Sequence, residues 1–534
     1  MASQTVRRST SSSASPKAAI RWSLLLALVV AAVTGPRSSR CAQGFASARA
    51  APRRTGTAFV PAHRGAGASA ATTTTTTKAT TTAEESPPPT DAAVVSWESL
   101  ESELEVLRAE RGEETKPVLT LYRDTNGWCP FCERVWIAVK AKGLPYQETL
   151  VPLQGKPEWY KQMVPTGLVP AVLFHGDENG GEEDAASTSR ELVWESDAIL
   201  RALDEKFPDT PRLMKEDDEE FSAALEMQNK LQVAGFRFAY GDRNGTLTEN
   251  ELRENRDRFE AVLDELDEAL GEQQAKAGDD EACFRLGAQF SGIDAIMVPT
   301  LERWRYQLPL TDAMDILESR PHLRRWFDSM DSYAPYGARV AGDAYSWTAT
   351  ASMFLRYFGG GEDKPKVAEG IARADAAAED LSGGFASALG GVVADDNSGD
   401  VALEAAAKLV SNHEAVLADC LREEPLSQQH IPRASPDAGE TTDALLRHVT
   451  SVLLRIASTE PLSGSSLSLS DNFLALENIA SVVEGATDGA TQQGAMALET
   501  VSKRLCVPRD MGAPSAALLR GILCTVANGL RAEE

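Results

Sequence analysis

From about Val94 onward the apolar positions change period several times, and each change predicts an element. Lys116-Pro117-Val118-Leu119-Thr120-Leu121-Tyr122-Arg123 alternates and carries enough β-formers to predict a strand, closed by the turn signal Asp124-Thr125-Asn126-Gly127. Apolar Val135, Trp136 and Val139 then fall at helical spacing, predicting a helix that begins at or just after Cys129 with Pro130 in its first turn. The alternation returns in Pro145–Pro152, Pro170–Phe174 and Glu191–Trp194, with a short helix expected at Lys156–Lys161. Ser196 is placed to cap a helix running through Ile199, Leu200, Leu203 and Phe207.

Beyond residue 212 the period is helical throughout. Phe221, Leu225, Met227, Leu231 and Phe236 define one amphipathic helix, and Phe259, Leu263, Leu266 and Leu270 another. Ser291-Gly292-Ile293-Asp294 reads as a capping box opening a third, a folding signal rather than a catalytic one. The region from 361 to 534 is rich in alanine and helix formers, with helices expected around Leu403–Glu414, Leu445–Leu454 and Ser515–Leu530. His413 and His448 on these helices read as packing or surface residues, not ligands. The expected division is a leader and linker over 1–93, an α/β domain over 94–212, an all-helical domain over 213–360 and a helical C-terminal module over 361–534.

The leader changes the picture of the charge. The chain has 534 residues and a net charge of −26, yet no acidic residue precedes Glu84, so the remainder is more acidic still. Such a balance disfavours nucleic acid and anionic membrane surfaces as partners. Arg7, Arg8, Lys17 and Arg21 precede the apolar run Trp22–Val33, which is short for a membrane span and suits a signal peptide. A basic, Ser- and Thr-rich tract follows, with Phe45 and Phe59 as candidate cleavage-site residues. This order resembles the bipartite signal and transit leader of algae with secondary plastids and implies the plastid stroma, without stable membrane insertion once the leader is removed. The tracts Thr72–Thr77 and Pro87–Pro89 are read as linker. Gly176–Ser189 reads as a solvated acidic loop between two strands of a hairpin.

Seven cysteines are spread along the chain, and only Cys129 and Cys132 are close enough to make a local motif, so a secreted disulfide framework is excluded. At the start of a helix the Cys129 thiol would meet unpaired backbone N–H groups and the positive end of the helix dipole, which favour the thiolate. Cys132 reads equally as a resolving thiol or as a small buried residue. A zinc site is not expected, because neither a second Cys-x-x-Cys nor a nearby His pair accompanies the first.

The β-α-β, α, β-β-α order around Cys129-Pro130-Phe131-Cys132 is the thioredoxin arrangement. The stretch CPFCERVWIAVKAKGLPYQETLVPLQGKPEWYKQMVPTGLVPAVLF resembles the cysteine-type glutathione transferases of the lambda, omega and dehydroascorbate reductase classes. Arg320–Met330 is similar to a late helix of the same family. The resemblance implies an α/β thioredoxin-like N-terminal domain, an all-α glutathione-transferase C-terminal domain and an additional α-helical C-terminal region. The Asn412-His413-Glu414 and Val507-Pro508-Arg509-Asp510-Met511 phrases of that region look like the extra module of plastid transferase-like proteins.

What the resemblance implies for the site is residue-specific. Cys129 matches the nucleophile that forms a mixed disulfide with glutathione, with Cys132 beside it. Phe131, Val169, Pro170, Glu195 and Ser196 match glutathione-binding positions: Val169 pairs its backbone with the cysteinyl part, Pro170 is the cis-proline opposite the sulfur, and the Glu195-Ser196 pair holds the γ-glutamyl end. Leu168 departs from the family, which often has Lys there. The expected activity is a glutathione-dependent thiol transfer or reduction, with glutathione as co-substrate, a small hydrophobic or oxidised second substrate, no metal, and room for a homodimer. The alternative is a non-catalytic ligand-binding or scaffold protein on the same fold.

Overall fold

Strand β1, Leu119–Asp124, is buried at every position, which requires both faces of its sheet to be covered. In this computed structural model it lies second in a four-stranded sheet of order β2-β1-β3-β4. β2, Tyr146–Val151, runs parallel to β1, while β3, Ala171–Phe174, and β4, Glu191–Trp194, form an antiparallel hairpin on its other side. Helix α2, Pro130–Ala141, and helix α4, Ser196–Lys206, contribute Val135, Ile137, Val139, Ile199, Leu200 and Leu203 to the core on one face. The short α3, Glu158–Met163, covers the other face, packing Tyr160 against Tyr122, Cys132 and Ala171. The element that precedes all of these is α1, Trp97–Glu110. The structure describes residues 95–112, 116–176, 190–242, 246–277, 282–358, 364–393, 397–421, 431, 433–458 and 476–532. The expected leader over 1–93 and nearly all of the Gly176–Ser189 loop lie outside them.

The helical domain follows as α5, Glu219–Tyr240; α6, Glu249–Ala277; α7, Gly292–Thr311; α8, Pro321–Asp331; α9, Ala334–Gly337; and α10, Ala344–Phe358. Its apolar faces and the upper face of the sheet make one continuous core. Gly235 lets α5 approach α7, since a Cβ there would stand 2.1 Å from the Trp304 ring. The capping box at the start of α7 is present, and Asp294 is fully buried. One carboxylate oxygen accepts from the Ser291 N–H at 2.9 Å, the other from the Arg285 N–H at 2.7 Å and the Trp326 indole at 2.9 Å.

Among the described residues that follow, the elements are helical, as the composition predicts: α11, Pro365–Gly383; α12, Phe385–Val393; α13, Ser398–Cys420; α14, Gly439–Ser458; α15, Leu476–Val482; α16, Asp488–Arg504; and α17, Ala513–Ala532. These build a second core. By length and composition Ala513–Arg531 would pass as a membrane span, but Leu518, Leu519, Ile522 and Leu523 are completely buried in that core.

The structure differs from the sequence reading at the front of the transferase core. Helix α1 falls in the segment assigned to the α/β domain over 94–212, yet Leu100, Leu104 and Leu107 pack into the C-terminal core. Its Trp97 indole donates to Asp443 at 2.9 Å and stacks on His413, with ring centroids 4.1 Å apart. The transferase core is therefore inserted between the first helix of the bundle and the remainder. His413 packs, as expected.

Candidate active site

The turn Thr125–Trp128 carries the chain from the end of β1 to Cys129, which occupies the N-cap position of α2, with Pro130 as the first helical residue. Pro130 fits because its missing N–H would have had no partner in the first turn. Asp124, fully buried at the strand end, accepts the Trp128 N–H on Oδ2 at 2.8 Å, closing the turn. Gly127 adopts φ 71°, a left-handed conformation that suits glycine.

Cys129 is half-buried and Cys132, one turn along, is 1% exposed. A hydrogen bond from the Cys132 thiol, helped by the backbone at Phe131 and Cys132, holds the Cys129 thiol below its ordinary value in spite of burial and of the Asp124 carboxylate. Burial, foremost, drives the Cys132 thiol well above its own ordinary value. The two sulfurs are thus pushed apart in acidity: the outer is shifted toward the thiolate and the inner is the donor that supports it. Arg134, buried on α2, adds a fixed positive charge near Cys129 and is held by Gln232 at 3.1 Å. Its guanidinium lies 4.9 Å from the Phe131 ring, which fixes that side chain at the mouth of the site.

Across from the thiol, the Val169–Pro170 bond is cis. The Cys129 sulfur stands 4.0 Å from Val169 O, and Tyr160 Oη donates to Leu168 O at 2.8 Å to fix the approach. The β3 ladder begins only at Ala171, leaving Val169 outside sheet pairing and its backbone in position to meet an extended peptide. Glu195 is exposed and sits at φ 71°, ψ 123°, a strained conformation for a residue with a side chain. It corrects one detail: Glu195, not Ser196, is the N-cap, and Ser196 is the first helical residue. The N–H groups of this first turn lack partners inside the helix, as an anion site requires. The structure therefore gathers Cys129, Cys132, Phe131, Val169 and Pro170 around one sulfur, with Glu195 and Ser196 at the start of α4.

Sequence reasoning missed Asp124, Arg134 and Arg303. Asp124 had a signal available, as a carboxylate ending an apolar strand immediately before the motif. One oxygen of Asp124 and the two sulfurs lie within 4.8 Å of one another, and Asp124 Oδ1 is buried without a hydrogen-bond partner, so its carboxylate bears on the acidity of both thiols.

Comparison with known proteins places these features in a family. Residues 128–206 match the family model "Glutathione S-transferase, N-terminal domain" and residues 249–329 match "Glutathione S-transferase, C-terminal domain". Glutathione S-transferase L3 of Arabidopsis thaliana is 32% identical over 217 residues, covering 39% of this chain and 79% of that protein. The chain belongs to the glutathione S-transferase family. Glutathione S-transferase DHAR3, chloroplastic, of the same plant is 39% identical over 85 residues, but the match spans only 16% of this chain and 28% of that protein. Among solved structures, glutathione transferase Omega 3C from Trametes versicolor aligns at 20% identity and a TM-score of 0.33, covering 43% of this chain and 92% of that one. The two family models stop at residue 329, so α10 and the C-terminal bundle stand outside both.

Proposed function

We propose that this glutathione S-transferase is a thiol transferase or reductase of the cysteine type, acting in the plastid stroma through a mixed disulfide at Cys129. The observation that carries the reading is the divergence of the two thiols: Cys129 favours the thiolate at the amino end of α2, while buried Cys132 stays protonated. In the first step the Cys129 thiolate attacks the glutathione sulfur of a glutathionylated substrate. The Cys129–glutathione disulfide forms, the substrate's S–S bond breaks, and the departing thiolate takes a proton from solvent. In the second, a free glutathione thiolate attacks that mixed disulfide, giving oxidised glutathione and returning the Cys129 thiolate. Val169 would pair with the cysteinyl backbone of the tripeptide, and the first turn of α4 at Glu195 and Ser196 would meet its γ-glutamyl carboxylate. Conjugation to electrophiles fits less well, since it needs a hydroxyl that activates glutathione, not a thiol that joins it. The alkaline, reducing stroma suits this thiol chemistry, and the signal-then-transit order of the leader supports that address.

The test is reduction of hydroxyethyl disulfide by glutathione with the full chain. Cys129→Ser is expected to fall to the background of free glutathione while its unfolding temperature stays near that of the wild type. Cys132→Ala is expected to retain turnover with an alkylation profile shifted to higher pH, because the supporting hydrogen bond is lost. Wild-type activity in Cys129→Ser would sink the reading.

A further inference from the structure

The C-terminal bundle, which the family models do not reach, touches the transferase core beside the nucleophile. The turn that delivers Cys129 is held from three directions. From the strand, Asp124 takes the Trp128 N–H, as described. From α7, Arg303 Nη2 points to the carbonyl oxygens of Gly127 at 3.4 Å and Trp128 at 3.2 Å. The same guanidinium pairs with Glu133 at 2.8 Å and lies 4.5 Å from the Trp347 ring of α10. From the bundle side, Pro508 presses on Gly127, where a Cβ would stand 3.0 Å from Pro508 Cγ. The Phe354 ring of α10 meets the Trp128 indole at 5.2 Å. Pro508 is in turn anchored: Arg339 donates to its carbonyl at 2.8 Å and pairs with Glu404 of α13 at 3.0 Å, while the Val507 N–H bonds Ser346 Oγ at 2.9 Å.

We propose that the Cys506–Asp510 turn of the bundle, together with Phe354, is a positioning element for Cys129, holding the 125–128 turn on the course that sets the sulfur at the amino end of α2. The inference rests on the reading of Cys129 as nucleophile. Its physical basis is the short reach of the groups that favour the thiolate. The helix-end field and the backbone N–H groups act only within the first turn, so a small change in the path of the preceding residues moves the sulfur relative to both. Gly127 brings no side chain that could hold the turn by itself, and glycine is the residue freest to leave a given backbone conformation. Pro508 fills the space above it, and Phe354 blocks the swing of Trp128. The bundle thereby acquires a role in the chemistry without touching substrate.

The experiment uses the full chain carrying Pro508→Ala and Phe354→Ala together. Iodoacetamide alkylation of Cys129 is followed across pH by the mass of its peptide, with thermal unfolding measured beside it. The midpoint is expected to rise by about half a pH unit, and alkylation at neutral pH to slow up to about threefold. Leu453→Ala, deep in the bundle core and far along the chain from the contact, is expected to lower the unfolding temperature and leave the midpoint in place. A folded double variant with an unmoved midpoint overturns the proposal, as does a shift no larger than that of Leu453→Ala. Should the double variant fail to fold, Phe354→Leu, which keeps an apolar side chain at that place, carries the same test with a smaller expected shift. A wild-type midpoint at the ordinary thiol value would instead sink the nucleophile reading itself.

Discussion

The interiors of the transferase core and of the C-terminal bundle are comparably apolar, but they differ in the polar groups they bury. In the transferase core Arg123, Asp124, Glu133, Arg134, Glu302 and Arg303 are all under 9% exposed. In the bundle beyond Ser352 the buried polar side chains among the described residues are hydroxyls, Thr442, Thr450, Thr500, Ser502 and others, with Arg520 the one charge. Arg520 itself faces the other region, pairing with Asp343 and bonding Leu505 O at 2.7 Å. Burying a charge is costly unless it is paired and hydrogen-bonded, whereas a helix hydroxyl can donate to its own backbone, as Thr450, Thr500 and Ser502 do while Thr442 Oγ1 is buried without a partner. The contrast teaches that buried charge among the described residues is concentrated in the transferase core: Asp124, Glu133 and Arg303 lie around the turn bearing the nucleophile, where they fix backbone direction, while Lys142, Arg285, Asp294 and Arg320 are buried elsewhere in it. The bundle stands on hydrophobic burial.

The largest effect that would sharpen this contrast comes from Arg303→Met. Removing the guanidinium leaves the buried Glu133 carboxyl and the Gly127 and Trp128 carbonyls without their donor, and three orphaned acceptors amount to a loss of about 3–5 kcal/mol in urea unfolding. Arg303→Lys should recover only part of it, because an ammonium cannot reach carbonyls and a carboxylate in one plane. A loss below about 1 kcal/mol for Arg303→Met would mean that the buried charges are incidental, and the contrast between the two interiors would break.

The same contrast explains what could be read from the sequence. The strands, the Cys129 helix and the Val169-Pro170 and Glu195-Ser196 pairs are local: each is announced by residues within a few positions of itself. Even the hairpin of β3 and β4 followed from its own alternation. The position of α1 was not legible, because the partners of Trp97, His413 and Asp443, stand more than three hundred residues away and no short pattern links them. Arg303 was hidden for a related reason. On a helix between Glu302 and Trp304 it reads as a solvated charge, and only the fold turns it inward beneath Gly127 and Trp128. The Pro508 contact with Gly127 likewise joins a turn of the bundle to one of the sheet domain, although both turns were visible by their Gly and Pro.

A smaller effect tests whether the buried carboxyl beneath the turn behaves as its surroundings require. Burial pushes Glu133 up to about 8, against the attraction of Arg303 and with Glu302 and Asp124 adding to the rise. Between the ordinary carboxyl value of 4.5 and about 8 the folded chain keeps a proton that the unfolded chain has released. The stability from that proton is complete below the lower value and is lost as pH rises through the upper one. Wild-type stability should therefore fall between pH 6 and pH 9 by about 2–3 kcal/mol more than that of Glu133→Gln, which has no proton to lose. Parallel stability curves for the two proteins would show Glu133 ionised throughout, as an ordinary partner of Arg303.

The smallest expected effect lies in the bundle, at Thr450→Val. Thr450 is completely buried on α14, and its hydroxyl donates to Leu446 O at 2.8 Å. That carbonyl already receives a backbone N–H from the next turn of the helix, so deleting the hydroxyl orphans no acceptor. Valine keeps the shape and puts a methyl where the oxygen was. A lost hydrogen bond of about 0.5–1.5 kcal/mol is then set against a buried methyl of about 0.8 kcal/mol. The two nearly cancel, and urea unfolding should place the variant within about 1 kcal/mol of the wild type. A loss above about 2 kcal/mol would show that the hydroxyls of the bundle are held as tightly as the charges under Cys129, and that the bundle interior is specified by its polar groups after all.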